Sequence, residues 1–419
     1  IYSDSDALTL PEPLLVVGSG IAGLATALAC RRAGWPVRVV DKVAALSPLG
    51  AGIQLGPNAV RLLDAWGLGR DLRERAVRPE QLQVRSAGRG SLLATLPLGD
   101  ACVQRHGSDY LTLHRADLQA LLLQAVAAVG IRSELNIAIT SVAASAHSIR
   151  AEAQNGLILQ APAVLAADGV WSVVRAGVAA AQAPRFTGHW AWRSLVARDA
   201  LPGGLAADCI SVWLGQRLHV VGYPVRVPSD HPDHHALGQS AYNLVVLLEM
   251  PTEPASKQPD NWSHTADACA LLQRVGPVNP TLQALLHAAP AWKRWPLYDQ
   301  PALTRPSQMA QGRIALVGDA AHPMLPYLAQ GAAMALEDAH ALQKCLQPVS
   351  PGNTAQLPAA LQTYAQARWQ RPAARAGGPR AEPIAAAAGT ADVRAAEARP
   401  ALAAVSVVLF IGRADGCAL

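Results

Sequence analysis

Hydrophobic positions fall into two regimes along the chain. In the first regime, four-residue aliphatic runs stop abruptly at glycine or acid. Leu14 to Val17 is such a run, long enough for a buried strand and too short for a helix. The spacing then predicts a helix over Ile21 to Ala33, ended by Gly34, and a second strand over Val37 to Val40 closing on Asp41. Val164 to Ala167 and Ile314 to Val317 repeat the pattern, ending in Asp168-Gly169 and Gly318-Asp319. Ala332, Ala335, Leu336 and Ala339 recur at helical spacing after Gln330-Gly331, as one face of a helix requires. Further helices are expected over Ala59 to Trp66 and Asp117 to Val129, a strand over Tyr110 to Leu113, and a hairpin over Leu82 to Leu98 broken at Gly88 to Gly90.

From Phe186 to Tyr298 the period changes to two. Trp190 and Trp192 flank Ala191 and so share one face, and Val212 to Leu214, Leu218 to Val221 and Asn243 to Leu248 also read as strands. Proline clusters at Pro228 to Pro232 and Pro251 to Pro259 separate them, with helices expected over Ala266 to Val275 and Thr281 to His287. The fold class that follows is α/β: a Rossmann-like unit with a parallel sheet, plus a smaller, mostly antiparallel β-sheet unit. Residues 1–180 and 300–371 form the first, discontinuous unit and 181–299 the second, with 82–106 able to join it. Residues 372–419 make an atypical tail rich in Ala, Arg, Gly and Pro.

Composition narrows the function classes. The chain has 419 residues, 51% of them hydrophobic, enough for two cored domains rather than a disordered chain. The longest late apolar run, Ala401 to Ile411, falls short of the about 20 residues a membrane span needs. The polar start has no signal-peptide pattern, so a cytoplasmic location is expected. Cys30, Cys102, Cys209, Cys269, Cys345 and Cys417 are scattered with no CxxC pair, which argues against a metal site or disulfide framework. A net charge of +5 from interspersed arginines suits anionic small molecules and gives no case for nucleic acid.

The chemistry sits where the apolar runs stop. Gly18, Gly20 and Gly23 form a GxGxxG between strand and helix, with Asp41 about 20 residues on, the context in which this motif binds a dinucleotide. The glycines permit a tight turn and close approach of a pyrophosphate, and Asp41 can accept from ribose hydroxyls. No second such motif follows, so a second dinucleotide would bind only transiently. Asp319 lies beyond a strand's C-terminal edge, where open α/β sheets bind ligands. Pro323 and Pro326 stiffen the loop after it, and the helix opened by Gln330-Gly331 presents unpaired amides. Together these read as one wall of a flavin site. Arg115, ahead of a helix where the macrodipole disfavours a cation, is either a surface residue or a partner for a flavin phosphate. Gly50 to Asn58 is either a ligand-approach loop or an ordinary helix entry. Trp190 and Trp192 read either as core or as the lid of an aromatic pocket, and His219 and Tyr223 carry the same ambiguity.

Three features together are more specific than any alone: GSGIAG with Asp41, the Asp168-Gly169 turn with Arg175, and GDAAHPMLPYLAQGAAMALEDA. This set resembles the single-component FAD-dependent aromatic hydroxylases, the p-hydroxybenzoate hydroxylase-like group. FTGHWAWRSLV, VWLG…HVVGYPV and MLPYLAQGAAMALEDA are most similar to its salicylate hydroxylase-like branch. The likeness runs from about Leu14 to Arg371.

The resemblance implies an FAD-dependent monooxygenase that hydroxylates a phenolic or aromatic carboxylic acid, using NADH or NADPH and O2 through a flavin C4a-hydroperoxide. Gly18, Gly20, Gly23 and Asp41 would hold the adenosine end of FAD, Gly318 and Asp319 its middle, Arg115 would contact it, and Asp168 would serve both FAD and the passing nicotinamide nucleotide. Pro323 and the helix end at Gln330 and Gly331 would border the flavin ring. His219 is the expected base, with Gln330 and Tyr223 as rivals, and Trp190, Trp192 and Met324 would complete the substrate pocket. The branch often carries a second histidine where this chain has Gly222. Other expected readings are hydroxylation of an isoprenoid phenol or a hydroxynicotinate, a flavin halogenase, whose extra lysine and tryptophan-rich motif is missing here, or an inactive FAD-binding protein. No metal is implied, and a monomer or homodimer is expected. After Arg371 the family's charged, aromatic helix gives way to alanine-rich sequence. An out-of-frame reading of a GC-rich gene would produce that switch; a low-complexity tail is the alternative.

Overall fold

A computed structural model describes residues 11–46, 52–179, 182–228, 234–250 and 264–370. The tail at 372–419, Gly50 and Cys417 lie outside the described residues, as do all of the second proline cluster and all of the first beyond Pro228. In chain order the elements begin with β1 (Leu14–Val17), α1 (Ile21–Arg32), β2 (Val37–Val40), β3 (Gly52–Leu55), α2 (Pro57–Ala65) and α3 (Gly69–Arg75). Then come β4 (Gln81–Ser86), β5 (Leu92–Pro97), α4 (Gly99–His106), β6 (Leu111–His114), α5 (Arg115–Ala128) and β7 (Ser133–Glu134). β8 (Ile139–Ala144), β9 (Ile149–Ala153), β10 (Ile158–Ala161), β11 (Val164–Ala166), β12 (Arg185–Ala197), β13 (Ile210–Gly215) and β14 (Leu218–Arg226) follow. The rest are α6 (His234–Leu237), β15 (Ser240–Glu249), β16 (His264–Ala266), α7 (Ala268–Val275), α8 (Pro280–His287), β17 (Trp292–Asp299), β18 (Ala310–Gln311), β19 (Ile314–Leu316), α9 (Gly331–Leu346) and α10 (Leu357–Arg368).

The short aliphatic runs assemble into a six-stranded sheet in the order β18-β19-β11-β1-β2-β7. All its pairings are parallel except β18 with β19. Val17 lies opposite Ala166, and Ala166 opposite Leu316. That register brings the turns at Gly18, Asp168 and Gly318 out of one edge side by side, the edge at which such sheets bind ligands. The central strands β1, β11 and β19 are buried throughout, and α1, α9 and α10 pack with them into one core that includes Leu24, Leu28, Leu336, Leu342 and Leu361.

The alternating segments form an eight-stranded sheet, order β16-β17-β12-β15-β14-β13-β4-β5, with β4 and β5 carried in by the parallel pairing of β4 to β13. Its two faces differ because side chains alternate along each strand. One face holds Trp190, Trp192, Trp213, Val220, Leu244 and Val246 and buries them against Leu271 of α7 and Leu282 and Leu285 of α8. The Arg294 guanidinium caps both Trp190 and Trp192 rings, at 4.7 and 5.3 Å from their centroids. The two tryptophans are therefore core, and the expectation that they line a substrate pocket is corrected. On the opposite face one row crosses the strands as Leu214, His219, Leu247, Ala191 and Trp295. The two-stranded β3–β6 sheet is tied to this second sheet by Gly52 N donating to Asn243 Oδ1 at 2.9 Å and Thr112 Oγ1 donating to the Pro224 carbonyl at 2.6 Å.

Two features go beyond the expected elements. β8, β9 and β10 form a separate antiparallel sheet from stretches whose apolar positions are too few and too small to signal strands. β17 contains Pro296 and the charges Lys293 and Arg294, which demote a strand reading.

A buried ionic network closes the first core. Asp338 Oδ2 accepts from His322 Nε2 at 2.6 Å and Gly318 N at 3.0 Å, while Oδ1 accepts from Arg368 Nε at 2.7 Å. Arg368 also donates to Glu337 at 2.9 Å, and Glu337 accepts from Asn58 Nδ2 at 2.7 Å. Burial alone would raise the Asp338 pKa, but His322 and Arg368 overcome it and hold it at about 2. Burial would likewise lower His322, and Asp338 raises it instead. The Asp338 contribution to stability is present above the ordinary carboxylate range and is lost as pH falls toward about 2. That of His322 is present in acid and is lost as pH rises through its elevated pKa. Removing one partner leaves a buried charge uncompensated, at roughly 3–5 kcal/mol. Arg368→Met should accordingly lower the unfolding free energy of the FAD-free protein, taken from the urea midpoint and slope, by an amount in that range; an unchanged midpoint would show that the network is not structural.

Candidate active site

The turn after β1 is tightly wound. Gly18 has φ +106°, and a Cβ there would overlap the Ala167 carbonyl at the end of β11. A Cβ on Gly23 would overlap the Gly18 carbonyl, so the first turn of α1 presses directly on the loop. Gly20, the N-cap of α1, has open space where its Cβ would be. Asp41, just past β2, accepts from both the amide and the hydroxyl of Ser19 at 2.6 Å, and from Val43 N at 3.1 Å. Gln119 of α5 donates to the Ser19 carbonyl at 3.0 Å. The loop is thus held from β2 and α5 while Gly20 stays uncovered.

Two acids and an arginine continue the same edge. Asp168 Oδ2 accepts from Val173 N at 2.9 Å and Val174 N at 3.5 Å, while its buried Oδ1 has no partner. Burial raises its pKa despite these donors. Arg175 braces the neighbouring loop by donating to the carbonyls of Ala320 (2.8 Å), Ala321 (2.7 Å) and Pro301 (2.7 Å). Asp319 remains open to solvent, yet surrounding protein raises its pKa against the opposing pull of His322 and Arg115. Arg115, the first residue of α5, is pushed down by burial and up by Asp319. These two charges lie within interacting range of each other across the cleft.

The loop from Asp319 to α9 then crosses to the eight-stranded sheet. Pro323 and Met324 are half-buried in it, and Leu325 and Tyr327 pack on Ala191, Leu247 and Leu297. The Tyr327 ring meets His219 edge to face at 5.3 Å between centroids and His189 at 6.0 Å. Gln330 is buried at the N-cap of α9, and Gly331 beside it has open space at its Cβ position. His219 is buried, its Nε2 has no hydrogen-bond partner, and burial pushes its pKa down to about 4. Tyr223, four residues along β14, shares its face and is also buried. Gly222 points the other way, where a Cβ would run into the Tyr242 ring. A histidine at 222 would sit on the tryptophan-lined face, so its absence takes nothing from this side of the sheet.

The structure therefore brings Gly18, Gly20, Gly23, Asp41, Arg115, Asp168, Gly318 and Asp319 to one sheet edge and its adjoining cleft. It brings His219 and Tyr223 to a second surface, and joins the two through Pro323, Met324, Gln330 and Gly331. Sequence reasoning missed Tyr327, His189 and the His322–Asp338 pair. The pair is sixteen residues apart across a proline loop, a spacing that belongs to no regular element. Among the described residues no cluster of three His, Cys, Asp or Glu side chains is arranged to hold a metal.

Comparison with known proteins agrees with this geometry. A family model described as FAD binding domain matches residues 12–376. The 3-hydroxybenzoate 6-hydroxylase of Polaromonas naphthalenivorans is 35% identical over 363 residues, 86% of this chain and 84% of the relative. The 6-hydroxynicotinate 3-monooxygenase of Bordetella bronchiseptica is 33% identical over 334 residues, 80% and 82% of the two chains. Among solved structures, a salicylate hydroxylase substrate complex matches with a TM-score of 0.77 and 25% identity, over 97% of this chain and 96% of that one.

The lowered pKa of His219 has a direct readout. Below about pH 6.5 an unfolded histidine takes up a proton, whereas folded His219 stays neutral until about pH 4. Its contribution to stability is thus present above pH 6.5 and is lost as pH falls through that window. The imidazole carbon-proton resonance of His219, assigned by its loss in His219→Asn, should not shift between pH 8 and 5.5. A midpoint near 6.5 would contradict the buried, neutral ring.

Proposed function

The chain belongs to the FAD binding domain family, and from that premise we propose that it is an FAD-dependent monooxygenase hydroxylating a phenolic aromatic acid with NADH or NADPH and O2. One observation carries the reading. The segment from Gly318 to Gly331 both supplies the acid at the dinucleotide edge and lays Tyr327 against the unpartnered His219, so one loop borders both surfaces. Relatives acting on 3-hydroxybenzoate and 6-hydroxynicotinate support the substrate class.

The residues present fit FAD. Gly20 leaves space beside the α1 amides for a pyrophosphate, and Asp41 retains acceptor capacity for a ribose hydroxyl. Arg115 can meet the negative charge of the pyrophosphate and Asp319 can accept from ribityl hydroxyls along the middle of the cofactor, and the orphaned Asp168 Oδ1 awaits a donor. FAD bound there supplies electron uptake from the nicotinamide and activation of dioxygen. The protein's own part is to place the ring, hold its proton and exclude water. Gln330 and Gly331 open α9, whose free amides favour negative charge at the flavin. Neutral His219 can accept a phenolic proton at Nε2, which makes the ring more electron-rich. The packed loop of Leu325 and Tyr327 keeps water from the meeting point. Tyr223, on the His219 strand, and Gln330, at the start of α9, would add a hydroxyl and an amide to the site.

Reconstituted protein should bind FAD and oxidise NADH or NADPH faster with 3-hydroxybenzoate, salicylate or 6-hydroxynicotinate, with little peroxide. A folded protein that refuses FAD, or whose bound FAD no nicotinamide nucleotide reduces, would overturn the proposal. His219→Asn should keep FAD while turnover falls by roughly 10²–10⁴, the range of a general base, and the share of peroxide should rise. Undiminished coupled turnover in that variant would remove His219 from the role.

A further inference from the structure

Arg193 lies on β12, on the same sheet face as Ala191, His219 and Tyr223. Its guanidinium carbon sits 5.3 Å from the Trp295 ring centroid. Arg115 and Tyr223 are close enough to bias its charge, and burial with the Arg115 cation works against its protonated form. Yet Arg193 has no hydrogen bond and no carboxylate partner among the described residues. The arginines most deeply buried are met by acceptors: Arg175 and Arg313 by backbone carbonyls, Arg368 by two carboxylates. One strand away, opposite Tyr223 in the register, Asn243 is buried with its Nδ2 unpartnered.

An arginine stays charged at any working pH, and a half-buried cation beside a second cation is costly unless an anion arrives. The anion that fits must be small enough to enter between sheet and loop. It must also be planar enough to lie against a guanidinium that already has the Trp295 ring on one side. A carboxylate meets both conditions and takes two parallel hydrogen bonds from the fork. We propose that Arg193 anchors the carboxylate of the aromatic substrate on the sheet face, leaving the phenol to His219. The proposal rests on the aromatic-acid reading above and extends it to a specificity residue. Asn243 and the Tyr223 hydroxyl are placed to complete the carboxylate's coordination.

The test is titration of the FAD-loaded enzyme with 3-hydroxybenzoate, salicylate and 6-hydroxynicotinate, and with their carboxamides, following the flavin spectrum. Arg193→Gln should weaken the best acid by about 30-fold or more, the effect of truncating a buried charge pair, and change its carboxamide by no more than two- to threefold. Arg193→Lys should recover part of the loss, since the charge remains and the fork does not. FAD content should be unchanged, and the Tm of Arg193→Gln should equal or exceed that of the wild type, because no native partner is lost. Wild-type-like acid binding by Arg193→Gln, equal weakening of acid and amide, or loss of FAD would each overturn the assignment alone. A wild-type flavin that responds to none of the acids would overturn the aromatic-acid reading, and this inference with it.

Discussion

The arrangement of the whole site depends on one carboxylate with no solvent exposure. Asp338 sits inside α9 and takes the Gly318 amide, the His322 ring and the Arg368 guanidinium at once. Its partners come from the loop after β19 and from the last helix described, so the loop is fixed at its start. α9 itself fixes the loop's end at Gln330. Between these points the chain carries Pro323 and Pro326, which remove two donors and two backbone freedoms. A loop pinned at both ends and stiffened twice within has little choice of path. That is how Tyr327 comes to rest against His189 and His219 on a sheet that shares no strand with β19. Deep ionic pairs are weak evidence for net stability but are well suited to specifying a single geometry. This one specifies where the two layers meet.

The eight-stranded sheet meets opposite demands on its two faces. The tryptophan face has every large ring packed against α7 and α8, with Arg294 stacked over two of them. The other face carries an imidazole nitrogen without a partner and an arginine without an acid. Unpartnered buried groups occur on both faces, the indole nitrogens of Trp190, Trp192, Trp213 and Trp292 among them, but only the second face leaves a titratable imidazole and a cation unmet. That difference separates the stability of the sheet from its chemistry, residue by alternate residue.

Much of this was legible in the sequence. The aliphatic runs ending at Gly18, Asp168 and Gly318 announced parallel strands and their loaded ends, because buried strands write themselves as continuous apolar stretches. Period-two spacing found the second sheet and put Trp190 and Trp192 on a common face. It could not say which side that face would meet, and the choice went to α7 and α8 through contacts more than seventy residues away in the chain. The same blindness hid Arg193: an arginine in an alternating strand reads as an outward charge until the loop bearing Tyr327 is seen to cover that side. The Asp338 network was illegible for another reason. Its members, Asn58, His322, Glu337, Asp338 and Arg368, come from three helices and a loop, and no local period links them.

The unpartnered groups also constrain what the site accepts. A neutral, featureless ring would leave Arg193 charged beside Arg115 and His219 without a donor, keeping both costs in the complex. An acid lacking a phenol would meet Arg193 but leave His219 unpaired, and a phenol lacking an acid would do the reverse. Only a ring bearing both groups relieves both, and buried groups left unpaired are what allow a site to reject an analogue strongly. The separation of Arg193 and His219 on the face, two rows apart on β12 and β14 by register, then decides which ring positions can be filled together. Specificity in this view is set by the sheet, which is rigid, while the cofactor edge and the proline loop supply the chemistry and the seal.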